Sequence, residues 1–272
     1  MTPPPAGGGG RFGDLFLRVV SSIALAAVVS FDLWMGGVWV AVLAGLATVL
    51  MLWELHRMVT GDGRRVTPVL VAMSASAVAG IWVTGLAGQM AGAATLLVGA
   101  AVVAAMAPGR AAWLAGGVLY IGFAMAFVPV IRDDPRLGLA GLVWTILVVA
   151  AADIGAYFSG RTFGGPKLWP RVSPKKTWSG AIGGLVLALG VSLAFGAIIG
   201  WRLDTAAVLS LGVAIASQAG DLIESAVKRR WGVKDASRLI PGHGGVMDRL
   251  DGFVGGLWFF ALYDILGGSL GG

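Results

Sequence analysis

Apolar residues run through this chain in blocks of roughly 20, the length a helix needs to cross the hydrocarbon core of a bilayer. Short breaks separate the blocks: MGG, TGDGRR, LAGQ, APGR, RDDPRLG and WRLD. The pattern predicts nine helices, over residues 14–33, 37–55, 67–87, 91–107, 112–130, 138–158, 178–199, 206–224 and 252–270. The expected fold is all-α, a polytopic transmembrane helical bundle. Residues 1–13, with the Pro/Gly stretch MTPPPAGGGG, read as a disordered tail. Residues 14–137 then form N-terminal transmembrane helices. Residues 138–272 form a C-terminal transmembrane region with two long polar loops, 159–177 and 225–251. Arg11 before an apolar run containing ALA has the outline of a signal peptide, but many equally apolar spans follow it.

Composition agrees. The 272 residues are 57% hydrophobic and 12% charged, about half the charge of a soluble domain. The 44 glycines suit helices that pack closely through small residues. Cysteine is absent, which excludes disulfides and thiolate metal sites.

Charge distribution supplies an orientation. On alternate sides of the predicted helices, one set of loops holds Arg11, Arg57, Arg64, Arg65, Arg110 and the basic residues of both long loops. The other set holds only Arg132, Arg136 and Arg202. Basic loops stay in the cytoplasm, so the chain is expected to be N-in and C-out, with both long loops cytoplasmic. The net charge of +6 then reflects loops facing anionic membrane lipids rather than nucleic acid.

The candidate chemistry lies where acids interrupt this pattern. Asp153 falls near the cytoplasmic end of the sixth predicted helix, and Asp221 and Glu224 near that of the eighth. A carboxylate at such depth is costly unless paired or solvated, so it marks a site. Asp221, Ser225 and Lys228 share one helical stripe. Asp248 and Asp251, flanking Arg249, open the ninth helix. Carboxylates without thiolate neighbours suit a hard cation such as Mg²⁺, which keeps phosphate oxygens in its shell. With Lys and Arg, this is the equipment of phosphoryl or nucleotidyl transfer. In the first long loop, Ser173, Lys175, Lys176 and Thr177 lead into a helix N-terminus, a natural phosphate seat. Every lysine in the chain lies in the two long loops, and lysine is a compact phosphate-binding charge. PGHGG permits close backbone approach to phosphate. Its His243 reads more readily as a hydrogen-bonding spacer than as a proton carrier. Polybasic loops that serve topology alone would explain Arg57, Arg64 and Arg65, but not the interleaved carboxylates or the glycines around His243.

The stretch Ser225, Lys228, Arg229, Lys234, Asp235, Pro241 to Gly245, Asp248, Arg249 and Asp251 resembles the signature of the CDP-diacylglycerol synthases (phosphatidate cytidylyltransferases). SPKKTW, DIGAYFSGRTFG and GDLIESAVKR resemble upstream motifs of that family, and the similarity covers roughly residues 150–255. One position departs from it: Ser179 stands where the family carries Glu. The resemblance implies transfer of CMP from CTP to phosphatidate with Mg²⁺, metal held by Asp221 and Asp248, and a homodimer. Residues and resemblance together nominate Asp221, Asp248, Lys228 and Arg249 as catalytic. They nominate Asp153, Ser173, Lys175, Lys176, Thr177, Ser225, Arg229, Lys234, Asp235, His243 and Asp251 for substrate. The expected location is a bacterial inner membrane with the site facing the cytoplasm. Two rival readings fit the sequence less well. A CDP-archaeol synthase or polyprenol kinase would not be expected to carry the full pattern, and an ion-coupled transporter would place its acids at the bilayer midplane.

Overall fold

The computed structural model describes residues 11–62 and 65–266. The expected disordered tail up to residue 10, Arg64 and the end of the ninth predicted helix beyond 266 lie outside those residues. The described residues form nine α-helices: α1 (Arg11–Met35), α2 (Val38–Thr60), α3 (Pro68–Ala87), α4 (Gln89–Met106), α5 (Ala111–Asp133), α6 (Gly138–Phe163), α7 (Trp178–Ile199), α8 (Leu203–Arg230) and α9 (Met247–Ile265). Seven of them, α2 to α8, are long and apolar enough to cross a membrane. The shorter apolar run of α1 and the charged ends of α9, with Asp248, Arg249, Asp251 and Asp264, set those two apart.

The helix boundaries differ from expectation mainly on one face. There α6 continues to Phe163 and α8 to Arg230, and α9 begins at Met247. Hydropathy marks where a span stops being apolar, whereas backbone hydrogen bonding continues through polar residues. The last turn of α8 carries Lys228, Arg229 and Arg230, and cations there complement the negative end of the helix dipole. A two-stranded antiparallel hairpin, β1 (Lys167–Trp169) and β2 (Ser173–Thr177), was not expected. Its short strands, KLW and SPKKT, with Pro170 in the turn and Pro174 in β2, carry no sustained apolar alternation to announce them.

Small residues set the helix spacing. A Cβ at Gly184 of α7 would lie 2.6 Å from the Ala152 carbonyl of α6, so the two backbones touch there. Trp144 of α6 is fully buried and donates to Ser192 of α7 at 2.9 Å, and Ser192 donates to the Ala206 carbonyl of α8 at 3.0 Å. At the α8–α9 crossing a Cβ on Gly220 would meet the Asp251 carbonyl at 2.6 Å and the Gly255 Cα at 3.0 Å. Farther along, Gly212 faces Phe259, so α8 and α9 run antiparallel.

Cross-contacts sort the connections into two faces. Ser21 in the first half of α1 reaches His243, while the Leu33 carbonyl near its end accepts from Arg132 at 3.0 Å. Asp264 near the end of α9 accepts from Gln89 at the start of α4, at 2.8 Å. The two long loops therefore share one face, and α1 and α9 end on the other. Because Gly220 is pressed between backbones, Gly220→Ala should lower the thermal midpoint in detergent. An overpacking cost of about 1–3 kcal/mol outweighs the gain in helix propensity of about 1 kcal/mol. Gly190→Ala on α7, where a Cβ meets nothing within 4 Å, should leave the midpoint unchanged or raise it.

Candidate active site

The loop-bearing end of α8 presents two adjacent i, i+4 pairs. Ser225 Oγ donates to Asp221 Oδ1 at 3.3 Å, and Lys228 Nζ lies 2.5 Å from Glu224 Oε2. The Lys228 ammonium also reaches Asp248 Oδ1 across the crossing with α9, at 2.7 Å. All three side chains are nearly buried, 12% exposed for Lys228, 5% for Glu224 and 7% for Asp248. Burial makes each charge depend on the others, since an uncompensated ion in a low-dielectric site costs several kcal/mol.

Asp248 is the most heavily engaged acid. Besides Lys228 it accepts from the backbone N–H of Ala236, at 3.2 and 3.0 Å to its two oxygens, and from that of Gly245 at 2.8 Å. It therefore folds the 231–246 loop against the start of α9. Asp221 is more open, 29% exposed, and its Oδ2 lies 2.5 Å from Lys176 Nζ of β2. That ion pair joins the first long loop to α8. Arg229 adds a second tie, donating to the Val172 carbonyl at 3.4 Å, and it also donates to the Val233 carbonyl at 3.2 Å. Asp251 sits one turn after Asp248, beside Gly220, and accepts from the Gly252 N–H at 2.7 Å. Asp153 of α6 is exposed and lies within electrostatic reach of Asp221, Lys176 and Arg249.

The cluster thus brings together Lys176, Asp221, Ser225, Lys228, Asp248 and Asp251, with Asp153 and Arg249 at its edge. Other nominated residues have different surroundings. Thr177 is buried and caps α7, accepting from Gly180 N–H at 3.1 Å, so one of the free N–H groups of the supposed phosphate seat already has a partner. Ser179, at the departure from the family pattern, pairs with Thr177 at 3.0 Å and donates to the Gly164 carbonyl. There it fastens the end of α6 to the start of α7. Ser173 opens β2 opposite Trp169, while Lys175, Lys234 and Asp235 are exposed. His243 has both ring nitrogens engaged, Nδ1 2.9 Å from Ser21 Oγ and Nε2 3.2 Å from Ser22 Oγ. Its carbonyl accepts from Arg249 Nε at 2.9 Å. That is the spacer role, and the positive φ of Gly242 and Gly244, 75° and 91°, makes the turn one that glycine adopts without strain.

Two buried acids gained importance only in the fold. The sequence marks Glu224 only as a carboxylate at depth, and in the fold it supplies half of the Lys228 clamp. Glu54 is not among the residues that the motifs nominate. It is fully buried in α2 and accepts hydrogen bonds from Ser237, Val246 and Met247. The signal that could have found it is the one used for Asp221, an isolated carboxylate in an apolar run.

The donor set fits a hard cation in kind, all carboxylate oxygen with ammonium groups alongside. Among the described residues no three acids or histidines converge on one point. A Mg²⁺ held here would therefore complete its shell with substrate phosphates and water, as that ion commonly does.

Comparison with known proteins gives the same direction. Residues 16–266 match the sequence profile of the cytidylyltransferase family. The phosphatidate cytidylyltransferase of Brucella suis biovar 1 (strain 1330) is 37% identical over 247 residues, covering 89% of this chain and 90% of that protein. The Haemophilus influenzae protein of the same name is 48% identical over 136 residues, 48% of this chain and 47% of its own. The Bacillus subtilis one is 38% identical over 138 residues, 50% of this chain and 51% of its own. With the profile spanning nearly every described helix and the motif residues gathered at one crossing, the chain belongs to the cytidylyltransferase family.

Proposed function

We propose that this protein transfers CMP from CTP to phosphatidate, giving CDP-diacylglycerol and pyrophosphate, at the cytoplasmic face of a bacterial inner membrane. The observation that carries this reading is the fastening of both polar loops to the end of α8, a helix of membrane-spanning length, through Lys176–Asp221 and Lys228–Asp248. Acyl chains require the bilayer and CTP comes from water, so their phosphates can meet only at such a boundary. The names of the similar proteins support the same substrates.

In this reaction an oxygen of the phosphatidate phosphate attacks the α-phosphorus of CTP. The new P–O–P linkage forms as the bond to the α–β bridging oxygen breaks, and the electron pair leaves on pyrophosphate. The attacking phosphate is already largely ionised near neutral pH, so no side chain has to remove a proton. That agrees with a site holding no free histidine among its described residues. What the chain must supply is positioning and positive charge. Lys176, held in place by Asp221, and the exposed Lys175 and Arg249 are the cations available to phosphate oxygens. Asp221 and Asp248 would hold Mg²⁺, which when bound neutralises phosphate charge. Its partners under this reading are CTP, phosphatidate and bilayer lipid, with a second copy of the chain as the resemblance implies.

Purified protein with Mg²⁺, phosphatidate and labelled CTP should form CDP-diacylglycerol and release pyrophosphate, and EDTA should stop it. Transport of a solute without nucleotidyl transfer would sink the reading. Changing either Lys175 or Lys176 to Ala should raise KM, lower kcat or both. Lys176→Ala also frees Asp221 and should be the more damaging, so equal and wild-type kinetics in both variants would refute the phosphate role.

The two acids should separate by stability. Asp221→Asn should lower activity by orders of magnitude with an unchanged thermal midpoint, because Asp221 is partly open and is paired, among the described residues, with Lys176 and Ser225. Asp248→Asn should lose activity and also about 3 kcal/mol of stability, since it leaves nearly buried Lys228 with one partner fewer. Identical melting curves for the two variants would contradict this ranking.

A further inference from the structure

We infer that Glu54 is a positioning residue of the active site, a carboxylate delivered by α2 that caps α9 from outside and holds the strap carrying Asp248 and Arg249. This deepens the proposed reaction and rests on it.

Glu54 is fully buried, and its three recorded donors are neutral. Ser237 Oγ donates to Oε1 at 2.5 Å, Val246 N–H to Oε1 at 2.9 Å and Met247 N–H to Oε2 at 2.7 Å. Val246 is the N-cap and Met247 the first residue of α9, a helix whose N-cap residue provides no side-chain cap. Orphan N–H groups at a helix start need an acceptor, and a negative charge there is favoured by the dipole. The acceptor normally comes from the N-cap side chain a few residues away. Here it comes from a residue 193 positions earlier, in the half of the chain with no catalytic motif.

The strap from Ala236 to Met247 is held by two carboxylates in alternation. Ala236 and Gly245 give their N–H groups to Asp248, while Glu54 takes the Ser237 hydroxyl and the N–H groups of Val246 and Met247. Gly245 lies between the two grips. A Cβ there would stand 2.5 Å from Glu54 Oε1 and 2.8 Å from Oε2, so the approach requires glycine. Moving Glu54 therefore moves the backbone that sets Asp248 against Lys228 and Arg249 against the His243 carbonyl. The N-terminal helices do more than anchor the protein, because one of them completes the catalytic loop. Misplacing a catalytic group by about 1 Å can cost about 100-fold in rate.

The test uses the full chain in detergent. Glu54→Gln keeps the shape but turns an NH₂ group toward a backbone N–H. It should lower kcat by about 10- to 100-fold while KM for CTP stays within about threefold, the pattern of lost transition-state positioning. Trypsin should cut faster after exposed Arg238 in the strap and exposed Lys234 just before it, at a temperature where helical content is unchanged. Gly245→Ala, whose methyl presses on the same carboxylate, should reproduce both effects. Wild-type kcat together with wild-type tryptic protection in Glu54→Gln would overturn the assignment. So would a rise in KM alone. If Glu54→Gln does not accumulate, Ser237→Ala removes only the hydroxyl donor. It should show faster cleavage and a smaller loss of kcat, and no change in either would overturn the inference. A wild-type protein that makes no CDP-diacylglycerol would sink the reaction itself, and the tryptic pattern would still decide the role of Glu54.

Discussion

A single ammonium held between two nearly buried carboxylates governs how the catalytic helices meet. Lys228 lies 2.5 Å from Glu224 and 2.7 Å from Asp248, where none of the three is well solvated. Such a triad need not stabilise the fold over an apolar replacement, because removing its charges from water offsets much of their attraction. What it does impose is geometry, since only a narrow range of positions pairs all three. The α8–α9 crossing is thereby fixed in register as well as in distance. Asp221 and Asp251, one turn from the triad on either helix, are fixed with it.

The close approach that makes this possible comes from residues with almost no side chain. Gly220 lets the α9 backbone touch α8, and Gly184 does the same between α6 and α7. Within a bilayer the hydrophobic effect does not press helices together, so backbone proximity and a few polar contacts carry the association. The Trp144–Ser192–Ala206 chain of hydrogen bonds is one such contact, linking α6, α7 and α8 through their buried interior. The loop-bearing ends of those three helices then gather Asp153, Lys176 and Asp221 within electrostatic reach of each other. A site rich in charge is tolerable there because water and substrate phosphates are available on one side and fixed partners on the other.

Glu54 extends the same logic across the whole chain. A carboxylate in an apolar helix needs donors, and the strap and the start of α9 need an acceptor. Each satisfies the other, which makes the first half of the protein part of the second half's chemistry. The division at residue 137 that hydropathy and motif content suggest therefore does not describe how the site is held.

Most of the architecture was readable in advance because membrane spans are long and their signal is simple. Nine helices, their order and the sharing of one face by the two long loops follow from apolar run length and the placement of arginine and lysine. Much of the charged cluster was readable too, since carboxylates in apolar helices stand out against their surroundings. Partners were not readable. Sequence spacing puts Asp221, Ser225 and Lys228 on one stripe, but it cannot say that Lys228 turns to Glu224 and Asp248 while Asp221 takes Lys176. Nor could it separate Thr177, which caps a helix, from Lys176 beside it. The hairpin and the reach of Glu54 to α9 depend on contacts between segments with no shared periodicity. Hydropathy is a property of each segment and survives in the sequence, whereas pairing of charges is decided by which helix ends the packing brings together.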